Sequence, residues 1–247
     1  MKVVILAGGL GTRLGEFTKS VPKPMVKVGG YPIFLHILHH YIKYNFNNFI
    51  LATGYRSSAF RKYFKNYKRD GEEFKAKIFG KTCKINIVDS GISTMTGGRL
   101  KRVKLFLNKN EDFMFTYGDG ISDVNLNKLK LFFKKKNKII TVTAVRPPAR
   151  FGELIIKKNK VISFKEKPQV TSGWINGGFF IAKYDFLNFI RSDKEILEKW
   201  PLERLTKLNQ IAAFKHKGFW KCMDVKRDRD ELQEIYKSNN FNFKKMS

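Results

Sequence analysis

The chain has 247 residues, 43% of them hydrophobic and 14% aromatic, enough apolar material to bury one large core. No run approaches the roughly 18 consecutive apolar residues of a membrane-spanning helix, and two cysteines, Cys83 and Cys222, exclude a disulfide framework and lack metal-ligand spacing. The formal charge of +28, from 49 basic and 21 acidic side chains, would attract any polyanion, but the lysines are dispersed along the chain without a basic arm or helix, so no specific nucleic-acid partner is expected.

In chain order, Lys2 to Ala7 is an apolar, β-branched run ending in glycines, which reads as a buried strand feeding a loop. It lacks the flanks of a secretory leader, so the protein is expected in the cytoplasm, with no membrane partner. Ile33, Phe34, Ile37, Leu38, Tyr41 and Ile42 recur at helical spacing behind Pro32, which suits a first helical turn. His36 and His40 lie on that helix but have no Glu in the HExxH position, and packing explains them better than metal. Phe49 to Ala52 reads as a second strand, after which Ser57 can cap a helix through Tyr63. Further strands are expected at Ile85 to Val88, Phe113 to Tyr117 and Ile139 to Val145, and helices near Arg99 to Leu107 and at Leu126 to Lys136. Glu153 to Ile156 and Val161 to Phe164 flank a polar turn like a hairpin, Phe179 to Ala182 is a strand, and helices at Pro201 to Leu208 and Asp228 to Tyr236 follow. The alternation predicts an α/β fold in which a mostly parallel, Rossmann-like sheet is covered by helices on both faces. With no repeat or linker between the halves, 1–247 is expected to be a single domain.

Chemistry enters at Leu6-Ala7-Gly8-Gly9-Leu10-Gly11-Thr12-Arg13-Leu14. Glycines behind a strand let backbone N–H groups approach a phosphate chain, and Arg13 adds a charge-assisted contact; a tight strand-to-helix turn is the competing reading. Pro22-Lys23-Pro24-Met25 follows, its two prolines holding a lysine in place. Neither the serines nor the cysteines have an activating base at a suggestive position, so no covalent mechanism is expected.

Together these two segments resemble the signature of the sugar-phosphate nucleotidylyltransferase family. The resemblance extends over nearly the whole chain, through Gly118-Asp119-Gly120, Glu166-Lys167-Pro168, Asn176-Gly177-Gly178 and Met223-Asp224-Val225. It implies that Leu6, Ala7, Gly8, Gly9, Gly11, Thr12 and Arg13 hold a nucleotide, with Tyr117 beside them, and that Asp119 and Asp224 bind Mg²⁺. Lys23, Glu166, Lys167, Asn176 and Gly177 would meet the sugar phosphate, and Arg13, Lys23, Asp119 and Asp224 would carry catalysis. Residues 1–145 would then be mainly nucleotide-binding and 146–247 mainly sugar-binding.

Ser93 to Arg102, Pro147 to Gly152 and Gly218-Phe219-Trp220 resemble the family's cytidylyltransferase branch, with Ser93 and Gly98 on the nucleotide side and Arg99 reaching the triphosphate. The substrates implied are CTP and glucose 1-phosphate, the product CDP-glucose for cell-surface sugar synthesis such as O-antigen, and the assembly a homo-oligomer. The segment from Lys65 to Lys84 is shorter than that branch's, which bears on its lid and subunit contacts. The alternatives are a thymidylyl- or uridylyltransferase on a hexose 1-phosphate, a non-catalytic sugar-nucleotide sensor, and a nucleic-acid-binding protein.

Overall fold

The computed structural model describes residues 1–146, 153–165 and 173–238. Val3–Leu6 lies at the centre of the main sheet, and its alternation decides the layering: Val3 and Ile5 enter one core, Val4 and Leu6 the other, and all four are buried. Parallel neighbours flank it, Asn48–Thr53 on one side and Phe113–Tyr117 on the other, with Lys81–Asp89 parallel beyond Asn48–Thr53. Antiparallel pairing enters on both sides of this parallel centre. Lys81–Asp89 continues through Glu73–Ile78 to Lys68–Asp70, while Phe180–Ala182 inserts between Phe113–Tyr117 and Ile140–Val145. Ile175–Asn176 and Ile211–His216 also pair with Ile140–Val145, the latter in parallel. Strands from both halves of the sequence thus share one sheet.

Ile33–Lys43 packs its buried stripe on one face, joined by Leu126–Lys136. The second of these helices shows its local causes plainly. Asn125 accepts the Lys128 N–H at 2.9 Å at its start, Leu126, Leu129 and Phe133 form the buried stripe, and Asn137 ends it at φ 48°. The other face is covered by Thr96–Arg102, the 3₁₀ segment Tyr184–Phe189 and Trp200–Lys207, which contribute Leu100, Phe186 and Leu205.

Three expectations need correction. The helix placed near Arg99 to Leu107 spans Thr96–Arg102, with Gly97 and Gly98 in its first turn against the backbone of Glu195 and Asp193, and only a 3₁₀ turn at Lys104–Phe106 follows. Ser57 precedes Ser58–Tyr63 but does not cap it; its hydroxyl bonds to that of Thr53 at 2.7 Å. The strand expected at Ile85 to Val88 is the end of a longer one, Lys81–Asp89, paired with a meander that sequence reading missed. The hairpin expected around Lys157 to Lys160 is present as Glu153–Lys157 against Lys160–Lys165.

Candidate active site

A cavity of about 490 Å³ opens at the carboxyl ends of the parallel strands, where open α/β sheets gather their ligands. Its lining includes Leu6 through Arg13, Lys23, Arg99, Tyr117, Asp119 and Asp224. The loop after Val3–Leu6 turns through Gly11 at φ 66°, where an added Cβ would lie 2.8 Å from the Lys23 Cβ; only glycine serves both the dihedral and the close approach. Gly9, Leu10 and Gly11 line the cleft, and no residue among those described accepts from their N–H groups.

Lys23 sits on a short 3₁₀ turn, Lys23–Met25, entered from Pro22 at φ −69°. Its ammonium donates to Asp224 Oδ1 at 2.6 Å and to Asp119 Oδ2. Burial lowers the ammonium's pKa, but the charges and hydrogen bonds of the two carboxylates outweigh it, and the net shift is upward. Arg13 Nη2 reaches Asp224 Oδ1 at 3.3 Å while its side chain stays 70% exposed, leaving other donors open to a ligand.

Nothing local brings the two aspartates together. Gly120–Ser122 pairs antiparallel with Trp220–Cys222, in register Cys222 to Gly120, and the Met223 N–H donates to the Asp119 carbonyl at 2.9 Å. The next backbone groups, the N–H of Asp224 and of Val225, both donate to Asp228 Oδ2 at 2.9 Å, which fixes the turn into the helix Lys226–Lys237.

Arg99 is 4% exposed. Its Nη1 donates to the Thr53 carbonyl at 2.9 Å, the Ser90 hydroxyl at 2.7 Å and the Gly91 carbonyl at 2.8 Å; Nη2 donates to the Gly8 carbonyl at 2.9 Å. Burial pulls its pKa down, and the charge of Asp89 offsets only part of that. Tyr117 donates to Glu198 Oε1 at 2.5 Å and accepts from Asn176 Nδ2 at 3.0 Å, so Asn176 reaches the cleft through it. Burial and the Glu198 carboxylate push the Tyr117 phenol up. Glu198 also accepts from the Thr96 hydroxyl at 2.8 Å.

Other residues singled out from sequence lie elsewhere. Ser93 is exposed beside the cavity, Gly98 is buried against Asp193, and Gly177 is buried with its carbonyl accepting the Trp220 indole N–H at 2.7 Å. Glu166, Lys167 and Pro147 to Gly152 lie outside the described residues. Sequence reading missed Thr94, Thr96 and Glu198. The first two sit inside a segment already quoted, whereas Glu198 belongs to no motif and is found only through its partners.

The family model described as nucleotidyl transferase matches residues 2–225. The glucose-1-phosphate cytidylyltransferase of Salmonella typhimurium is 41% identical over 246 residues, covering 96% of both chains. A Bacillus subtilis protein named "Probable glucose-1-phosphate cytidylyltransferase" is 34% identical over the same length, again covering 96% of each. A crystal structure of an apo UDP-glucose pyrophosphorylase superposes with a TM-score of 0.72 over 97% of this chain and 99% of its own; at 18% identity that is a likeness of fold.

Proposed function

The chain belongs to the nucleotidyl transferase family, and on that premise we propose that it transfers the cytidylyl group of CTP to glucose 1-phosphate, releasing pyrophosphate and forming CDP-glucose. One observation carries the chemistry: the glycine loop, Arg13, Lys23 and two aspartates distant in sequence meet in a single cleft at the strand ends. The choice of cytosine and glucose follows the cytidylyltransferase relatives, which match over 96% of this chain.

The reaction needs no general base, because a sugar phosphate is already anionic at neutral pH. Its phosphate oxygen attacks the α-phosphorus of CTP in line, the bond to the β-phosphate oxygen breaks, and pyrophosphate leaves with that electron pair. The protein contributes position and charge. The N–H groups of Gly9 to Gly11 hold phosphate oxygens, Arg13 and Lys23 neutralise them, and Asn176 and Lys167 serve the sugar side.

Asp119 and Asp224 converge on one ammonium, so one small cation can reach both carboxylates, and Mg²⁺ commonly takes one or two carboxylates with phosphates and water. When bound there, it would supply positive charge against the phosphates. The reading places the enzyme in the cytoplasm, as a homo-oligomer supplying cell-surface sugar synthesis. Among the described residues no helix is long and apolar enough to cross a membrane.

The test is a matrix of CTP, UTP, dTTP, ATP and GTP against glucose, galactose and mannose 1-phosphates, read by pyrophosphate release. The highest kcat/KM is expected for CTP with glucose 1-phosphate. A tenfold advantage of about 1.4 kcal/mol for dTTP or UTP over CTP would reject the cytidylyl assignment and leave family membership intact.

A further inference from the structure

Arg99 differs from the other cationic side chains of the cleft. Arg13 is exposed and Lys23 is paired with carboxylates, but the Arg99 guanidinium is buried and its Nη donors end on the protein's own backbone and one hydroxyl. Those acceptors follow three adjacent strands. Gly8 follows Val3–Leu6, Thr53 closes Asn48–Thr53, and Ser90 and Gly91 follow Lys81–Asp89. We propose that Arg99 is a positioning residue, a clamp that ties these three strand ends together and sets the shape of the Gly8 to Arg13 loop before any nucleotide binds.

Two further observations fit this role. A Cβ on Gly8 would lie 1.9 Å from Arg99 Nη1, and one on Gly54 2.4 Å from it, so both glycines make room for the guanidinium. Gly54 does not line the cleft, so its smallness serves Arg99 and the neighbouring Gly91 carbonyl. The carbonyls that Arg99 holds also organise their surroundings: Gly8 accepts the Tyr55 N–H at 3.2 Å and Thr53 accepts the Ser90 N–H at 2.9 Å. A planar fork with several donors can satisfy acceptors on three strands at once, which an ammonium on a flexible stem cannot reproduce. Both Nη groups end on protein acceptors, so a role as phosphate ligand would fall to the remaining Nε–H.

This inference rests on the proposed nucleotide site, and its test separates the two. Arg99→Lys keeps the charge and loses the fork. Amide exchange at Tyr55 and Ser90 in the ligand-free protein is expected to speed up about tenfold or more, the scale of losing one charge-assisted bond. The KM for CTP is expected to rise about tenfold or more, while that for glucose 1-phosphate moves less than about threefold. A lysine variant that keeps the wild-type CTP KM, or one that loses CTP affinity with exchange unchanged, would overturn the clamp; the second result would make Arg99 a direct ligand. The exchange measurement contains no substrate, so it stands even if another nucleotide is used. Should Arg99→Lys fail to accumulate as folded protein, Gly8→Ala dislodges the guanidinium with Arg99 retained. It should give the same faster exchange, and unchanged exchange there would likewise overturn the proposal.

Discussion

Lys23 holds two carboxylates with one ammonium, and its place was legible because the prolines at 22 and 24 announce a fixed lysine. Through the resemblance, Arg99 reads as a group reaching the triphosphate. That its donors turn inward depends on three strand ends meeting, which no local pattern encodes. Histidine gives the sharpest prediction at this scale. His36, His39 and His40 share one helix, and burial pushes each imidazole from 6.5 down to about 4. The unfolded chain therefore binds more protons across that window. Stability contributed by the neutral rings is complete above about pH 6.5 and is lost as pH falls toward 4. Urea midpoints should fall between pH 7.5 and pH 5. His40, whose Nε2 has no hydrogen-bond partner among the described residues and whose ring packs against Tyr44 and Phe179, can be replaced to test the cause. His40→Phe should make the slope shallower by about one proton, and an unchanged slope would show that His40 does not contribute to it.

Among elements, the long periodic ones were readable. Leu126–Lys136 carries its cap, stripe and stop within its own sequence, and Phe113–Tyr117 is apolar throughout. The missed elements are those whose pairing is decided by distant partners. Ile211–His216 is mostly half exposed, and Trp220–Cys222 is a three-residue strand that exists because Gly120–Ser122 lies opposite. This short pair joins the two aspartates, and a minor core steadies it. Leu14, Val26, Ile33, Ile121, Met223 and Leu232 pack together, uniting the segment around Lys23 with the helix after Asp224. Leu232 is fully buried there, so Leu232→Ala should cost about 2–5 kcal/mol in urea unfolding. Loosening the helix also moves Asp224, and kcat should fall by more than about tenfold at a temperature where the variant stays folded. Lost stability with an unaltered kcat would show that the minor core does not position the site.

For the whole molecule, the +28 charge is spread over the surface, from the Lys134 to Lys136 end of one helix to exposed lysines on both sheet edges. Counterion release then governs any binding to nucleic acid. DNA and RNA of unrelated sequence should bind alike, with affinity falling by about a hundredfold or more between about 50 and 200 mM salt. Tight, sequence-dependent binding at the higher salt would contradict a diffuse surface.

The fold's main achievement is to bring residues from the first, middle and last parts of the chain into one cleft, and that claim can be measured directly. Asp119 follows Phe113–Tyr117 and Asp224 follows Trp220–Cys222, yet both hold the same ammonium. Asp→Asn preserves size and removes charge. In pyrophosphate release from CTP and glucose 1-phosphate at saturating Mg²⁺, each single variant should stay folded and lose on the order of 10²–10³ in kcat. The double variant should lose far less than the product of the two, because groups acting as one unit are not additive. Near-normal turnover in either single variant, or losses that simply multiply, would contradict a shared site.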